Sequence, residues 1–315
     1  MTARTLSLVL GSGGARGLAQ IGVIRWLEEH AADYTITSIA GSSMGAVIGG
    51  IYAAGELDAY EAWVRGLRRQ DVWRLLDFSF SGAGLFRGDR VIGQLREMLG
   101  DRAIEELPIT FTAVATDIER KREVWLNSGS LFDAIRASIA IPSVFTPVEH
   151  NGRLLVDGGL LNPVPMGPTL VDTSDLTIAV SLSGRTAKPE QASEPGESPA
   201  WLASGRRLAG DLVEALPDSV GTWLEGLHER LGGRGLEPRL SRAQEARALN
   251  FIDIISHSIE AMQGSIARHR MAAYSPDHLL EVPVDACGML DFHRADEMIE
   301  LGYRLAAETF PARSG

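Results

Sequence analysis

The chain has a single cysteine, Cys287, among its 315 residues, so it cannot form a disulfide bond within itself. Such low cysteine content is typical of proteins from a reducing compartment. No uninterrupted run reaches the roughly 18 apolar residues that a membrane-spanning helix needs. The first residues also lack the cationic start, long apolar middle and cleavage site of a signal peptide. These absences predict a cytoplasmic protein without a transmembrane helix.

Positive charge is scarce. The chain has 30 Lys and Arg residues against 41 Asp and Glu residues, which gives a net charge of −11. An acidic protein is repelled by nucleic acid, so we expect no nucleic-acid partner. Cys and His are not spaced as in a zinc site, so we expect no metal. The rest of the composition, 45% hydrophobic and 23% charged, is that of a soluble globular protein.

Stretches typical of strands and of helices alternate along the chain. Short apolar runs predict strands at 6–10, 34–40, 109–115, 154–157, 176–182 and 278–282, with 122–126 as the hairpin partner of 109–115. Helical periodicity predicts helices at 18–30, 44–54, 131–140, 241–270 and 295–309, and a helical region at 58–100 with a flexible break at 79–88. This alternation predicts an α/β fold of three layers, α/β/α, with a mostly parallel central sheet.

The pentapeptide around Ser43 has the form G-x-S-x-G, with Gly41 and Gly45 on either side of the serine. A predicted strand precedes it and a predicted helix follows it. In this context the serine occupies a sharp turn that exposes its hydroxyl at the carboxyl edge of the sheet, as in a nucleophile elbow. The alternative is a helix N-cap, a position that serine also favours. The N-cap reading does not account for a glycine on both sides.

A glycine-rich loop, 11–17, follows the first strand. It does not match the dinucleotide-binding pattern, because Arg16 stands where that pattern needs a glycine, and it has no P-loop lysine. We expect the backbone N–H groups of Gly13, Gly14 and Ala15 to form a cradle for negative charge, such as an oxyanion. Arg16 either adds positive charge or braces the loop. A tight turn without a ligand is the alternative.

A nucleophilic serine needs a base, and Asp157 is the candidate. It ends a predicted strand and precedes Gly158 and Gly159. None of the seven histidines lies in a glycine-bounded turn after a strand. An Asp-Gly pair is also common in turns that have no chemical role, and this remains the alternative for Asp157.

Together these motifs resemble the patatin-like phospholipase family. The segments 13–17, 41–45 and 157–159 occur in the family's order, and 137–145 resembles its helix-to-loop segment between nucleophile and aspartate. The resemblance covers about residues 5–182. It implies a three-layer α/β sheet and a Ser43–Asp157 dyad without histidine. It also implies an oxyanion hole at Gly13 and Gly14, and no cofactor.

The expected reaction is hydrolysis of a carboxylic ester of a lipid through an acyl-serine intermediate. Thioesters would suit the same site. A regulatory or scaffold protein with a patatin-like fold and little turnover is the alternative. The chain departs from the family at two positions: Ser12 stands where glycine is frequent, and Gly159 where many members have alanine.

The resemblance, the polar composition of 183–200 and the helical pattern from residue 201 predict the domain organisation. We expect a catalytic core at 5–182, a polar loop at 183–200, and a helical portion at 201–315 that packs on or caps the same domain. The apolar stripe at 201–231 is either a lid over the acyl pocket or a helix packed on the core. The expected partner is a lipid or acyl-ester substrate. Peripheral contact of the protein with a membrane is compatible with a lipid substrate.

Overall fold

A computed structural model describes residues 4–77, 84–186 and 242–310, with the backbone alone for 242–256. The chain divides into two compact units, Met1–Pro189 with Glu260–Gly315, and Glu190–Ile259. In the second unit, the described residues 242–259 are helical. Most of the predicted polar loop and the whole apolar stripe at 201–231 lie outside the described residues. No helix among the described residues is long and apolar enough to cross a membrane.

The described residues form strands and helices that alternate, as predicted. The strands are β1 (Arg4–Leu10), β2 (Tyr34–Ser42), β3 (Gly84–Phe86), β4 (Thr110–Asp117), β5 (Arg122–Leu126), β6 (Ser143–Phe145), β7 (Val148–His150), β8 (Arg153–Asp157), β9 (Leu176–Gly184) and β10 (His278–Pro283). The α-helices are α1 (Ala19–His30), α2 (Met44–Ala53), α3 (Leu57–Arg65), α4 (Arg69–Leu75), α5 (Asp89–Leu99), α6 (Leu131–Ser138), α7 (Arg242–Ala273) and α8 (Ala295–Thr309).

Within the described residues the central sheet has eight strands, seven of them in the order β10-β9-β1-β2-β4-β8-β7, with β5 paired to β4 as the predicted hairpin partner. The strands from β10 to β4 in this order run parallel to their neighbours. Strands β5, β7 and β8 pair antiparallel. The expected α/β fold with a mostly parallel sheet is therefore confirmed. Because parallel strands end at the same edge, the loops after β1 and β2 lie side by side.

Helices cover both faces of this sheet. Leu8 and Leu10 of β1 belong to the large core that includes helices α1, α2 and α8. Val9, between them, packs with Ala267 and Met271 of α7 on the opposite face. Successive residues of a strand point to opposite faces, so an uninterrupted apolar run is buried between two helical layers.

The region 58–100 has helices on either side of the expected break, as predicted, and differs from the prediction within the break. It contains three helices, α3 to α5, and the expected flexible break includes strand β3, which pairs with β6. The backbone of Gly84 lies against Phe145, so closely that a Cβ there would be 2.6 Å from the carbonyl carbon. This pairing joins segments distant in sequence, which local periodicity does not reveal. Helix α6 also ends at Ser138, two residues before the predicted end at 140.

Helices α1 and α8 cross in close contact through two glycines. A Cβ on Gly22 would lie 1.9 Å from the carbonyl oxygen of Ile299, and a Cβ on Gly302 would lie 1.8 Å from that of Ala19. These distances are too short for any side chain, so both helices depend on glycine at the crossing. The crossing fixes the start of α8, and with it the loop between β10 and α8.

We expect the substitution Gly22→Ala to lower the free energy of unfolding by about 2 kcal/mol or more, because the helices must move apart to admit a methyl group. Chemical denaturation measures this loss. Gly93→Ala in helix α5 is the matched control, since Gly93 is exposed and a Cβ there meets no atom within 4 Å. The control should stabilise the protein by about 0.5–1 kcal/mol through its helix propensity. Equal effects at the two positions would contradict the close crossing.

Candidate active site

Ser43 lies in the turn between β2 and α2, with backbone angles φ 55° and ψ −120°. Positive φ is uncommon for residues other than glycine and costs about 1–3 kcal/mol unless the surroundings hold it. The side chain makes no capping hydrogen bond to α2. This geometry is that of a nucleophile elbow, and the N-cap alternative lacks the hydrogen bond that would define it.

The two glycines beside Ser43 allow strand and helix to approach closely. A Cβ on Gly41 would lie 2.3 Å from the carbonyl oxygen of Gly45, and a Cβ on Gly45 would lie 2.0 Å from that of Leu10. The turn is therefore packed against the end of β1, where the glycine-rich loop begins. This contact brings the loop beside Ser43.

The glycine-rich loop leads through a short 3-10 helix, Gly14–Leu18, into α1. Among the described residues, no acceptor binds the N–H groups of Gly13 and Gly14. The N–H of Ala15, in contrast, donates to the carbonyl oxygen of Met289 at 2.9 Å. Of the three predicted oxyanion donors, Ala15 is thus already engaged, because the loop before α8 closes over this part of the chain. Gly13 and Gly14 stay as predicted donors.

Arg16 braces this loop rather than facing the cavity beside Ser43. The side chain is 5% exposed. Its Nη1 donates to the carbonyl oxygens of Val284 (3.0 Å) and Cys287 (3.4 Å), and its Nη2 forms an ion pair with Glu260 at 2.7 Å. Arg16 therefore ties the glycine-rich loop to the loop that follows β10 and to helix α7.

The register of the sheet brings Asp157 to the turn that holds Ser43. Ser42 at the end of β2 pairs with Val114 of β4, and the next residue of β4, Ala115, pairs with Asp157 at the end of β8. The aspartate therefore lies level with the elbow, one strand removed. Its neighbour Gly158 approaches the elbow so closely that a Cβ there would be 2.7 Å from Oγ of Ser42.

The carboxylate of Asp157 is buried and half satisfied. The backbone N–H of Gly159 donates to Oδ1 at 2.7 Å, but Oδ2 has no hydrogen-bond partner of normal geometry among the described residues. Burial raises the pKa of Asp157 to about 7, and the nearby hydroxyl of Ser43 and the N–H of Gly159 oppose that rise. The hydroxyl is thus close enough to affect the carboxylate without a well-formed hydrogen bond.

Ser43 and Gly14 line a cavity of about 110 Å³ whose other walls are apolar. The walls come from α2 to α5, from Ile139, Ile141 and Phe145 after α6, and from Met289, Leu290 and Phe292 before α8. No described histidine lines it. These wall residues carry no sequence motif and meet only through the packing of distant segments, so sequence patterns do not identify them.

Comparisons with known proteins agree on a family. The family model for patatin-like phospholipase matches residues 8–170. An uncharacterized NTE family protein of Mycobacterium tuberculosis is 41% identical, with 98% of this chain and 91% of that protein covered. Lysophospholipase NTE1 of Coccidioides immitis is 28% identical over 97% of this chain and 17% of its own length. The crystal structure of VipD from Legionella pneumophila aligns with a TM-score of 0.43 and 14% identity, covering 98% of this chain and 67% of VipD.

Ser12 and Gly159, the two departures noted in the sequence, lie in contact. A Cβ on Gly159 would be 2.4 Å from Oγ of Ser12 and 2.7 Å from its Cβ, so rotation of the hydroxyl cannot make room. It would also be 2.8 Å from Nε2 of Gln263, the end of a flexible side chain. The glycine at 159 thus accommodates the serine at 12.

We expect Gly159→Ala to lower the free energy of unfolding by about 1–3 kcal/mol through overpacking. Ser12→Gly in the same chain should recover much of that loss, since it removes the clashing atoms. A double-mutant cycle by chemical denaturation measures the coupling, which should exceed about 0.5 kcal/mol. If the two effects on the free energy of unfolding simply add, the contact with Ser12 is not what destabilises Gly159→Ala.

The buried carboxylate predicts a pH-dependent stability. Because the pKa of Asp157 is raised in the folded protein to about 7, the folded state retains a proton that the unfolded state loses. Stability is therefore lost as pH rises from the unfolded pKa, about 4, to the folded one. Asp157→Asn removes this loss. Its stability gain over the wild type should grow by roughly 2–3 kcal/mol between about pH 5 and about pH 8.

Thermal or chemical denaturation at the two pH values measures that gain. Asp58→Asn is the control, because the side chain of Asp58 is 90% exposed. It should show no gain at the higher pH. A stability difference between Asp157→Asn and the wild type that stays constant across this range would mean that Asp157 does not titrate as its burial requires.

Proposed function

The chain belongs to the patatin-like phospholipase family, and we propose that it hydrolyses carboxylic esters of lipids through an acyl-serine intermediate on Ser43. Family membership assigns it to the lipid hydrolases. The observation that carries the specific proposal is the position of Ser43. It lies on a strained elbow that lines an apolar cavity, near a buried carboxylate whose Oδ2 has no partner among the described residues.

In this mechanism Asp157 is the general base. Its Oδ2 accepts the proton of the Ser43 hydroxyl while Oγ bonds to the ester carbonyl carbon. The tetrahedral intermediate then expels the alcohol, which takes the proton from Asp157, and the acyl group stays on Ser43. A water molecule, deprotonated by Asp157, releases the fatty acid and restores the serine. A pKa of about 7 for Asp157 suits a base that must both accept and return a proton near neutral pH.

The oxyanion of the tetrahedral intermediate needs hydrogen-bond donors. The N–H groups of Gly13 and Gly14 are the proposed donors, since they belong to the loop beside the elbow and have no acceptor among the described residues. The loss of a single donor of this kind costs about 100-fold or more in rate. Ala15 is not included, because its N–H is bound to Met289.

The cavity supports a substrate with an apolar acyl chain. Its walls contain aliphatic and aromatic side chains and bring an apolar chain directly to Ser43. One relative is named a lysophospholipase. A phospholipid with a single acyl chain is therefore the first substrate to test. Because residues from 289 onward line the cavity, we propose that the functional core extends beyond 5–182 and includes part of the C-terminal portion.

The test is covalent labelling of the purified protein with a fluorophosphonate, followed by peptide mapping. We expect the label on Ser43, none in Ser43→Ala, and labelling slowed by about 100-fold or more in Asp157→Asn. The labelling rate should rise with pH and level off above about pH 7, since only the carboxylate form of Asp157 accepts the serine proton. Hydrolysis of a lysophospholipid should follow the same pH dependence.

Ser42→Ala is the matched control, because Ser42 is the adjacent buried serine and its Oγ has no hydrogen-bond partner among the described residues. It should retain labelling at Ser43. A folded wild-type protein that resists the label, or a rate independent of pH between about 5 and 8, would contradict the Ser43–Asp157 mechanism. The first of these results would favour a scaffold protein with little turnover.

A further inference from the structure

Ser138, the last residue of α6, contacts the elbow directly. Its side chain is fully buried. The backbone N–H of Ser43 donates to Oγ of Ser138 at 2.9 Å, and the Ser138 hydroxyl donates to the carbonyl oxygen of Val114 at 2.6 Å. An amide N–H only donates and a carbonyl only accepts, so the single hydroxyl proton must point to Val114. The hydroxyl therefore bridges the elbow and strand β4.

Ala140, two residues after Ser138 in the same segment, binds the backbone of Asp157, the proposed base. The backbone N–H of Asp157 donates to the carbonyl oxygen of Ala140 at 2.9 Å. The segment itself is fixed to the end of α6, because Ile139 N–H donates to Ile135 at 3.0 Å. The amides of Ser43 and Asp157 are thus bound by residues 138 and 140 of one short, buried turn.

We propose that Ser138 is a positioning residue that fixes Ser43 relative to Asp157. The proposal rests on the proposed function of these two residues. Ser138 does not line the cavity, so it acts through the backbone of the nucleophile. By binding the Ser43 amide to the turn that also binds the Asp157 amide, it sets the separation of the hydroxyl and the carboxylate.

The elbow needs such a contact for two physical reasons. The first N–H groups of a helix have no partner within the helix, and the amide of Ser43, at the start of α2, is one of them. The positive φ of Ser43 is also strained and persists only where the surroundings over-determine it. Without the hydroxyl of Ser138, a buried donor and a buried acceptor would both lose their partner, which favours a shift of the turn.

The first test reads the contact without any turnover. In Ser138→Ala, hydrogen–deuterium exchange of the Ser43 amide should become at least about 10-fold faster, because the amide has lost its acceptor. Ser7→Ala is the matched control. Ser7 is equally buried, but its hydroxyl bonds to Asp172 and Ser174, and it lies in β1 before the residues that pair with the end of β2. It should leave the exchange of the Ser43 amide unchanged.

The second test reads the geometry of the dyad. Per active site, Ser138→Ala should slow fluorophosphonate labelling by about 100-fold, the cost of a small misplacement of reacting groups. The pH midpoint of labelling should move upward, since the Ser43 hydroxyl would no longer oppose the raised pKa of Asp157. Ser138→Cys, whose thiol is a weak donor and acceptor, should give an intermediate rate. Ser138→Cys also provides the test of the proposal if Ser138→Ala does not fold.

A merely structural role would reduce the folded fraction and leave the rate per active site and the pH midpoint as in the wild type. That result, or a Ser43 amide that stays protected in Ser138→Ala, would overturn the proposal. Failure of the wild-type protein to label would overturn the proposed function alone, because the exchange experiment measures the Ser138 contact independently of catalysis.

Discussion

The strained turn at Ser43 is the constraint on which the rest of the site depends. A serine with φ 55° is held at a cost of about 1–3 kcal/mol, and neighbouring groups must prevent it from relaxing. Gly41 and Gly45 let strand and helix approach at distances that no side chain would allow. Ser138 binds the amide that the turn leaves without a partner. In this strained turn Ser43 lines the cavity, and its side chain makes no hydrogen bond that caps α2.

Two aspartates at strand ends of the same sheet differ in how their carboxylates are satisfied, and their pKa values shift in opposite directions. The backbone N–H and the guanidinium of Arg120 both bind Asp117, and the first of these contacts contributes most to lowering its pKa. Asp157 has one backbone donor and an oxygen without a partner among the described residues, and burial raises its pKa to about 7. A carboxylate that is fully satisfied is stable and unreactive. Asp157 lowers the stability of the fold as pH rises toward neutral, and its raised pKa is what the proposed role of general base requires.

The sequence predicted the parts of the site that depend on neighbours along the chain. The strand, the glycines and the helix around Ser43 are contiguous in the chain. Their pattern is therefore local, and it predicts the turn correctly. The local pattern at Asp157 is the same as that of an Asp-Gly turn without a chemical role. What distinguishes Asp157 is the sheet register that aligns it with Ser42 across β4. The sequence pattern also could not predict that the N–H of Ala15 would be bound by Met289, far away in sequence. Long-range packing decides both points, and periodicity carries no information about it.

The family motifs and part of the cavity wall come from different parts of the chain. The match to the family model ends at residue 170, yet the cavity continues with Met289, Leu290 and Phe292. Arg16 binds the backbone of the loop that carries them, so the glycine-rich loop and this wall are fixed to each other. The motifs contain Ser43 and Asp157, and side chains outside the family match shape the cavity beside Ser43. A substitution in this wall would therefore change the cavity without touching Ser43 or Asp157.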